Sequence, residues 1–535
     1  MKQKIVTLGK LCLGLTVLAL SMASCESDFT NRPPEDAISL DSYYSTNEQV
    51  ASATNVLYSR SWFLFQTKFL YAVSEVGSGN MYSGSSDVSA MVNFSLNGSD
   101  PELKNGWDAL WGNIAQANAI INFLEARTGP AVDPEVLQNT IGEAYFLRAT
   151  AYFYLVRLWG PVPIIENNLD YINQPQLSTN RIEDIYTLIE RDYLAAIDRL
   201  YEKNRGSNYS ANGHVSKGSA KAMLAKVYLY EKKYTEARQM AEDVINSGEF
   251  KLLGGAQLPG KSYYDLFTYP NNNNEESIFA LQWQWDGTYG SGNICNTQFG
   301  ISSANLTTSN CSYGGVFGPS QDVLNLYSDG DVRKHATLMI PGDTYPDIKV
   351  LVNGGQTAQV GFTVPPADQI GGQMAGAAIK KYCIGIENGN LTGPTQIGGN
   401  GAMSNNTYIM RYADLLLIHA EAVLAGGAST SDASALASFN AVRNRAGLSS
   451  VSTITFDDIF LERRKELCFE GDFWFDLGRL PRAQAIAFMA AQNRGNMFAA
   501  QYFTPDESDF YLDYPDAEVA KNPKLMEDPV PYEFN

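Results

Sequence analysis

Histidine is nearly missing from this chain: His214, His335 and His419 are the only three among 535 residues. So few leave little room for a histidine metal centre or for histidine general-base chemistry. Basic residues are in deficit as well, with 39 Lys and Arg against 58 Asp and Glu and a formal charge of −19. A surface of that sign repels phosphate backbones and anionic headgroups, which argues against a nucleic-acid partner. No CxxC pair occurs, which removes zinc-ribbon and thioredoxin-type readings. GxSxG, HExxH and a GxGxxG following a strand are absent too, so hydrolase elbows, zincin helices and dinucleotide folds have no support. What the chain has in surplus is aromatic side chains, 30 Tyr, 25 Phe and 7 Trp. The rest of the composition, 44% hydrophobic and 18% charged, is ordinary for a globular protein and excludes disorder, collagen and coiled-coil rods.

The first residues read as an address. Lys2, Lys4 and Lys10 precede an apolar stretch from Leu11 to Met22 that exits through Ala23-Ser24-Cys25. A short positive region, about a dozen apolar residues and a small-residue exit describe a secretory signal over residues 1–24, too short to span a bilayer comfortably. Leu20-Ser21-Met22-Ala23-Ser24-Cys25 resembles a bacterial lipobox. That resemblance implies diacylation (palmitate) of Cys25 and stable anchoring by several acyl chains; the alternative is a plain cleaved signal with an incidental cysteine. Without the leader the chain keeps 36 basic residues against 58 acidic, about −22. Residues 25–40 suit a tether, because Glu26 to Pro34 is polar and proline-bearing. No other run of 18 apolar residues follows, so the chain reads as anchored to a membrane and not crossing it. Cys295 and Cys311 flank a Gly/Asn/Ser-rich loop; outside the cytoplasm they are either a disulfide or two separate buried thiols.

Helical periodicity fills residues 101–250. Trp107, Leu110, Trp111, Ile114, Ala117 and Ile121 make one apolar stripe, and Ala144, Leu147, Ala151, Leu155 and Leu158 another that Gly160-Pro161 stops. A third helix is expected over 182–200. The pair 219–230 and 234–246, with Ala222, Ala225, Ala237 and Ala241 at close-approach positions, looks like a tetratricopeptide-type hairpin. The pattern returns over 408–424, 431–446 and 454–470, where Thr455 and Asp458 form a helix start. Between these blocks, about 251–406, Gly, Asn, Ser and Thr clusters separate short β-like runs such as Ser277 to Trp285 and Lys349 to Val352. After Pro481 the texture is mostly irregular. The chain is therefore a mostly α helical-repeat scaffold (about 101–250 and 407–480) carrying a long loop and short-strand insertion (about 251–406), and its length alone leaves the number of domains open, about three or four at roughly 150 residues each.

Two apparent motifs carry no chemistry. Gly255 to Ser262 satisfies the P-loop pattern letter for letter. A phosphate cradle needs a preceding strand, free N–H groups and a following helix, whereas here a helix hairpin precedes, Pro259 removes a donor and Pro270 comes too soon. Asp329 and Asp331 with nearby carbonyls offer oxygen ligands of the kind calcium takes, but EF-hand spacing is absent and no calcium site is expected. The charged residues Arg148, Arg157, Arg411, Glu421, Arg443, Arg445, Glu462, Arg463 and Glu466 lie on helical segments and read as ion pairs tying repeats together. Trp107, Trp111 and Trp159 lie on apolar stripes and read as core.

A set of segments in fixed order then becomes informative. Trp107-Asp108-Ala109-Leu110-Trp111-Gly112-Asn113-Ile114 leads to Ala117-Asn118; Glu143 to Ala149 leads through Tyr152-Phe153 to Leu155-Val156-Arg157-Leu158-Trp159-Gly160-Pro161-Val162-Pro163. Glu276-Ser277-Ile278-Phe279, Pro319-Ser320 and Asp331-Val332-Arg333 follow, then Arg411 to Leu417 with Ala420-Glu421-Ala422. Asn440 to Leu448, Glu462 to Leu467 with Glu470-Gly471, and the tail from Pro515 to Pro523 complete the set. Together they resemble the SusD/RagB family of outer-membrane glycan-binding lipoproteins (starch-utilisation-system-like), partners of SusC-like TonB-dependent transporters. The resemblance implies a SusD-like fold forming a single domain over 41–535, a cell-surface location on the outer membrane, no cofactor, and non-catalytic capture of a glycan for delivery to the transporter in nutrient uptake. The alternative cargo is peptide, as in RagB-like relatives; a surface glycosidase stands third, since 58 acids allow many carboxylate pairs and single none out.

Sugar rings present flat C–H faces and a rim of hydroxyls, and they bind aromatic platforms edged by polar groups. The insertion supplies Trp283, Trp285, Tyr289, Tyr313 and Phe317, interleaved with Gln282, Gln284, Asp286, Asn293, Asn296 and Gln298. A strand would place Trp283 and Trp285 on one face and the two glutamines on the other; the competing reading makes Trp283 core and leaves only Trp285 or Tyr289 exposed. A second patch, Asn80, Tyr82 and Asp87 in a Ser/Gly loop, is placed beside the ligand by the family resemblance.

Overall fold

Two long helices carry the scaffold, and both begin the same way. The computed structural model describes residues 43–202, 213–285, 290–301, 315–352, 357–371, 373–385 and 403–534. Cys25, the leader, the tether, Asp286, Tyr289, Cys311, Tyr313 and the side chain of Asn296 lie outside the described residues. Helix α1 (Pro101–Arg127) and helix α2 (Pro134–Trp159) each follow an aspartate, Asp100 or Asp133, whose carboxylate accepts the N–H two residues on. Proline then occupies the first helical position, where its missing N–H costs nothing. Gly160 ends α2 at φ +70, a conformation residues with a Cβ avoid. Helix α3 (Ile182–Arg199) lies against α2. Helices α4 (Lys217–Tyr230) and α5 (Tyr234–Ser247) form the expected hairpin, and Ala222, Ala225, Ala237 and Ala241 are all 0% exposed. Their small side chains let the two backbones approach.

The insertion holds short antiparallel pairs: β1 (Met81–Tyr82), from ahead of the scaffold, with β3 (Gly318–Pro319), and β2 (Ser277–Leu281) with β8 (Thr407–Arg411). A further pair joins β4 (Leu338–Met339) to β7 (Ala378–Ile379), and β5 (Thr344–Val352) pairs with β6 (Thr357–Thr363). The scaffold resumes with α6 (Tyr412–Leu424), α7 (Ala433–Arg445), α8 (Phe456–Leu467), α9 (Phe473–Gly478) and α10 (Arg482–Ala491). Helix α6 starts at Tyr412 instead of Tyr408, because residues 407–411 are spent on β8. Thr455 and Asp458 form the expected capping box of α8. Helix α10 and a short helix at Asp516–Lys521 replace the irregular texture expected after Pro481. One contiguous core runs from Val50 to Leu525, and a smaller one lies under β4–β7 with Met339, Tyr345 and Phe362. Among the described residues no helix is long and apolar enough to cross a membrane. Trp107 and Trp159 are buried as expected. Trp111 is half-buried and walls a surface cavity of about 360 Å³ beside Tyr171 and Leu177.

The charged residues of the scaffold motifs meet in the interior. Arg411 reaches Glu276 (2.5 Å), Glu466 (3.0 Å) and Glu470 (2.7 Å). Arg445 bonds Glu276 (3.0 Å) and Glu466, and Arg333 bonds Asp331 (2.8 Å), Glu462 (2.7 Å) and Glu466 (3.2 Å). Both oxygens of Asp331 are thus engaged by one guanidinium, which removes it as a calcium ligand. A second cluster joins Lys226 and Arg463 to Asp414, Asp472 and Asp476. Arg157 departs from the ion-pair reading: its guanidinium lies between the rings of Phe153 (3.7 Å) and Phe475 (4.0 Å).

Burial alone would raise the Glu466 carboxyl, but Arg445, Arg411 and Arg333 hold it down at about 2. Its proton is therefore released more readily folded than unfolded, where a glutamate titrates near 4.3. Between those values the unfolded chain binds more protons, so stability rises with pH from about 2 to 4.3 and then levels. The expected contribution is about 3 kcal/mol above pH 5, lost on acidification. Urea midpoints measured from pH 2.5 to 5.5 check this; a flat profile would mean that Glu466 is not ionised in the fold.

Candidate functional site

Strand β2 is buried along its whole length, and where it ends its residues part company. Gln282 donates its backbone N–H to Tyr58 O (2.7 Å). Trp283 receives the Asn406 side chain on its N–H (3.1 Å) and donates Nε1–H to Thr407 Oγ1 (2.9 Å). That bond pins the indole inward, edge-on to Phe63 and 4% exposed. Trp283 is therefore core and not a platform. Gln284 is exposed, and Trp285, anchored through its N–H to Ser404 Oγ (3.0 Å), is half-buried. The paired-platform expectation fails because residues 282–285 follow the end of β2 and bond to other backbone carbonyls (Gln282 and Gln284) or to loop side chains (Trp283 and Trp285) instead of extending the sheet.

Side-chain amides fill the space beside this segment. Asn273 and Gln282 bond reciprocally (2.8 and 3.0 Å), and Asn406 Nδ2 donates to both (3.1 and 2.9 Å). Asn272 accepts the Asn406 N–H (2.9 Å) and donates to Ser404 O (2.7 Å). These groups line an open cleft of about 850 Å³ together with Tyr58, Arg60, His214, Tyr269 and Gln284. Each amide offers both a donor and an acceptor, the combination hydroxyl groups require. The described lining contains no carboxylate. His214 Nδ1 lies against Glu143 Oε2 (2.7 Å). Asn272, Asn273 and Asn406 were not singled out by sequence; the available signal was the asparagine run 271–274, which reads as a turn but lines the cleft through Asn272 and Asn273.

The second patch divides similarly. Asn80 is 0% exposed, donates to Glu75 (2.9 Å) and accepts from Arg464 Nε (2.9 Å), so it is structural. Burial pushes the Glu75 carboxyl up to about 7, against the hydrogen bonds it accepts from Asn80, Gly471 and Phe469. Phe317 is 0% exposed, against Tyr71 and Phe299, and is core as well. Asn293 and Gln298 are buried. Asp87 pairs with Lys68 (2.5 Å) at the surface. Tyr82 stays half-exposed. Cys295 is a buried free thiol whose Sγ donates to Tyr71 (3.3 Å). The P-loop look-alike folds into turns, with Lys261 bonded to Asn271 (2.7 Å) and only two short 3₁₀ segments, Tyr263–Phe267 and Tyr269–Asn271, after it.

Trp285 and Tyr82 are joined by continuous hydrogen-bonded chain. Gln284 bonds Ser291, Gly315 and Phe317 donate to Thr297 and Gln298, and Ser83 Oγ donates to Val316 O. Gly84 then bonds Gln373, and nearby Gly376, at φ +93, lies under Phe498. Phe498 and Tyr502 are each 61% exposed, aromatic candidates that the sequence, read as irregular there, did not single out.

The sequence model of the SusD family matches residues 260–530, and one described as starch-binding and associating with the outer membrane matches residues 32–229. A SusD-like protein of Bacteroides ovatus is 32% identical over 98% of both chains. A crystal structure with xylogluco-oligosaccharide is 30% identical, covering 91% of this chain and 99% of that one at a TM-score of 0.78. A laminarin-binding SusD-like protein is 26% identical, covering 90% and 99% at a TM-score of 0.69. With identity carried over nearly full length, and the fold with it, this chain belongs to the SusD/RagB family.

Proposed function

We propose that the protein is a non-catalytic surface lipoprotein that holds a glycan on the Trp285–Tyr82 face and passes it to a TonB-dependent transporter. The observation that carries this reading is the half-buried Trp285, bonded through its N–H to Ser404 at the border of a cleft lined by amides, hydroxyls and the rings of Tyr58, Tyr269 and Trp283. A C–H face stacks on the ring while the amides exchange hydrogen bonds with the hydroxyls. Glycoside hydrolysis needs two carboxylates about 5–9.5 Å apart, and the described lining offers amides in their place. Relatives with xylogluco-oligosaccharide and laminarin make β-glucans the first ligands to try. The helical face docks on the transporter, the aromatic face lies over its mouth, and lipid on Cys25 holds the assembly at the outer membrane.

Calorimetry and affinity electrophoresis of residues 26–535 against xyloglucan, laminarin and a panel of plant, host and microbial polysaccharides test the cargo. One glycan class should give a saturable, salt-insensitive response. Trp285→Ala is expected to weaken it about tenfold, roughly 1.4 kcal/mol, with the melting temperature unchanged. Full affinity in both Trp285→Ala and Tyr82→Ala would remove the site from this face. Silence across the panel, with binding from a peptide library, would replace the cargo. Cys25→Ser is expected to move the protein from the membrane to the soluble fraction.

A further inference from the structure

A different cavity, of about 320 Å³, opens on the scaffold where the end of α2, the start of α3, the end of α4 and helices α9 and α10 meet. Its charged lining is entirely cationic: Arg157, Lys232, Arg479 and Arg482, with no carboxylate among the described lining residues. That is unexpected in a chain of net charge −19. Arg479 is paired, to Glu421 and to Asp476 (3.0 Å). The other three form no ion pair among the described residues. Arg157 donates to Phe153 O (2.8 Å) and Tyr230 OH (3.4 Å), and Arg482 lies 3.8 Å over Phe510 without a hydrogen bond from its guanidinium. Of the nearby acids, Asp472 pairs with Lys226 and Arg463 and Glu231 with Lys233, while the exposed Glu507 acts on Arg482 without forming an ion pair with it.

Ring faces offset part of the cost of desolvating a guanidinium but do not neutralise it. Two guanidinium nitrogens of this cavity, Arg479 Nε and Arg482 Nη1, are buried without any acceptor, and the Arg479 side chain is only 8% exposed. Buried donors of charged groups normally find partners, and an anion in the cavity would supply the missing acceptor and counter-charge. The remaining walls, Tyr186, Tyr230, Trp474 and Tyr511, suit an anion carried on a body with apolar faces and hydroxyls rather than a bare ion. We infer that this cavity is a second ligand site, distinct from the Trp285 cleft, which binds the carboxylate of an acidic sugar such as a hexuronate. The anionic half of this assignment stands on the cavity alone, and the sugar half rests on the glycan-binding reading.

Calorimetry of residues 26–535 with glucuronate, galacturonate, glucose and inorganic sulfate separates the two halves. A hexuronate should bind saturably and weaken as NaCl is raised, while glucose stays silent. Arg482→Gln and Lys232→Gln, both at the cavity and outside the packed core, should each weaken uronate binding about tenfold without shifting the melting temperature. Trp285→Ala should leave it unchanged. Sulfate binding as tightly as the uronates would overturn the sugar half. Absence of binding by any acid, or full affinity in both glutamine variants, would overturn the site itself, and retained polysaccharide binding would show that the Trp285 face stands without it.

Discussion

Arg411→Met is expected to lower the stability of the folded protein by about 3–5 kcal/mol, read as a shift of the urea midpoint for residues 26–535. Arg411, Glu276 and Glu466 have fully buried side chains, and Arg411 is the cation that bridges Glu276, Glu466 and Glu470. Assembling such a cluster costs several kcal/mol of desolvation per ion, so the net worth of the intact set is modest. Removing one member is different, because it leaves its partners charged and dry. Arg445 and Lys381 remain close to those carboxylates, which caps the loss at the value of one bridge. The exposed i,i+4 pair Arg238–Glu242 supplies the contrast: Arg238→Met should cost less than about 0.5 kcal/mol, since solvent screens it. Equal small effects at both positions would mean that the cluster does not hold β8, α7 and α8 together.

The same cluster shows how far the sequence could be read. Arginines and glutamates on apolar helical stripes have few ways to be satisfied except by each other, so their pairing was legible before any coordinates. Helix positions were legible for a related reason: apolar stripes, the Gly160-Pro161 stop and the Thr455–Asp458 box are local signals. Residues 43–92 carried only one such signal, the Thr46–Gln49 capping box, and besides β1 they form short 3₁₀, π and α turns held by the core they enter. Strand β8 was hidden inside a helical pattern, because its partner, β2, lies some 130 positions earlier in the chain and local periodicity cannot report it. At the candidate site the residue types were readable and their directions were not. Period-two alternation placed Trp283 beside Trp285, but a single hydrogen bond to Thr407 turned it inward. Asn80 and Phe317 likewise belong to networks whose other members, Arg464 and Phe299, are remote or unremarkable in sequence. Arg157 looked like another ion-pair residue and instead stacks between two rings at the edge of a cationic cavity.

Trp159→Ala is expected to do the opposite of Trp285→Ala: to cost about 3–5 kcal/mol of stability and to leave glycan affinity per folded molecule unchanged. The two indoles differ in what surrounds them and not in chemistry. Trp159 is 2% exposed, stacks on Phe69 with centroids 5.6 Å apart and planes at 7°, and meets Trp107 edge-on at 5.1 Å. Its Nε1–H donates to Asp513 O (3.0 Å), so truncation opens a cavity and also strands the carbonyl that fixes the C-terminal segment to α2. Phe69 cannot close the gap freely, because it is wedged against Gly106 of α1, where even a Cβ would stand within 2.3 Å of the ring. A denaturation series on Trp159→Ala, with calorimetry at a temperature where it remains folded, separates the two roles. Lost affinity at full folding would make Trp159 part of the binding surface, and unchanged stability would contradict the packing that the scaffold is built on.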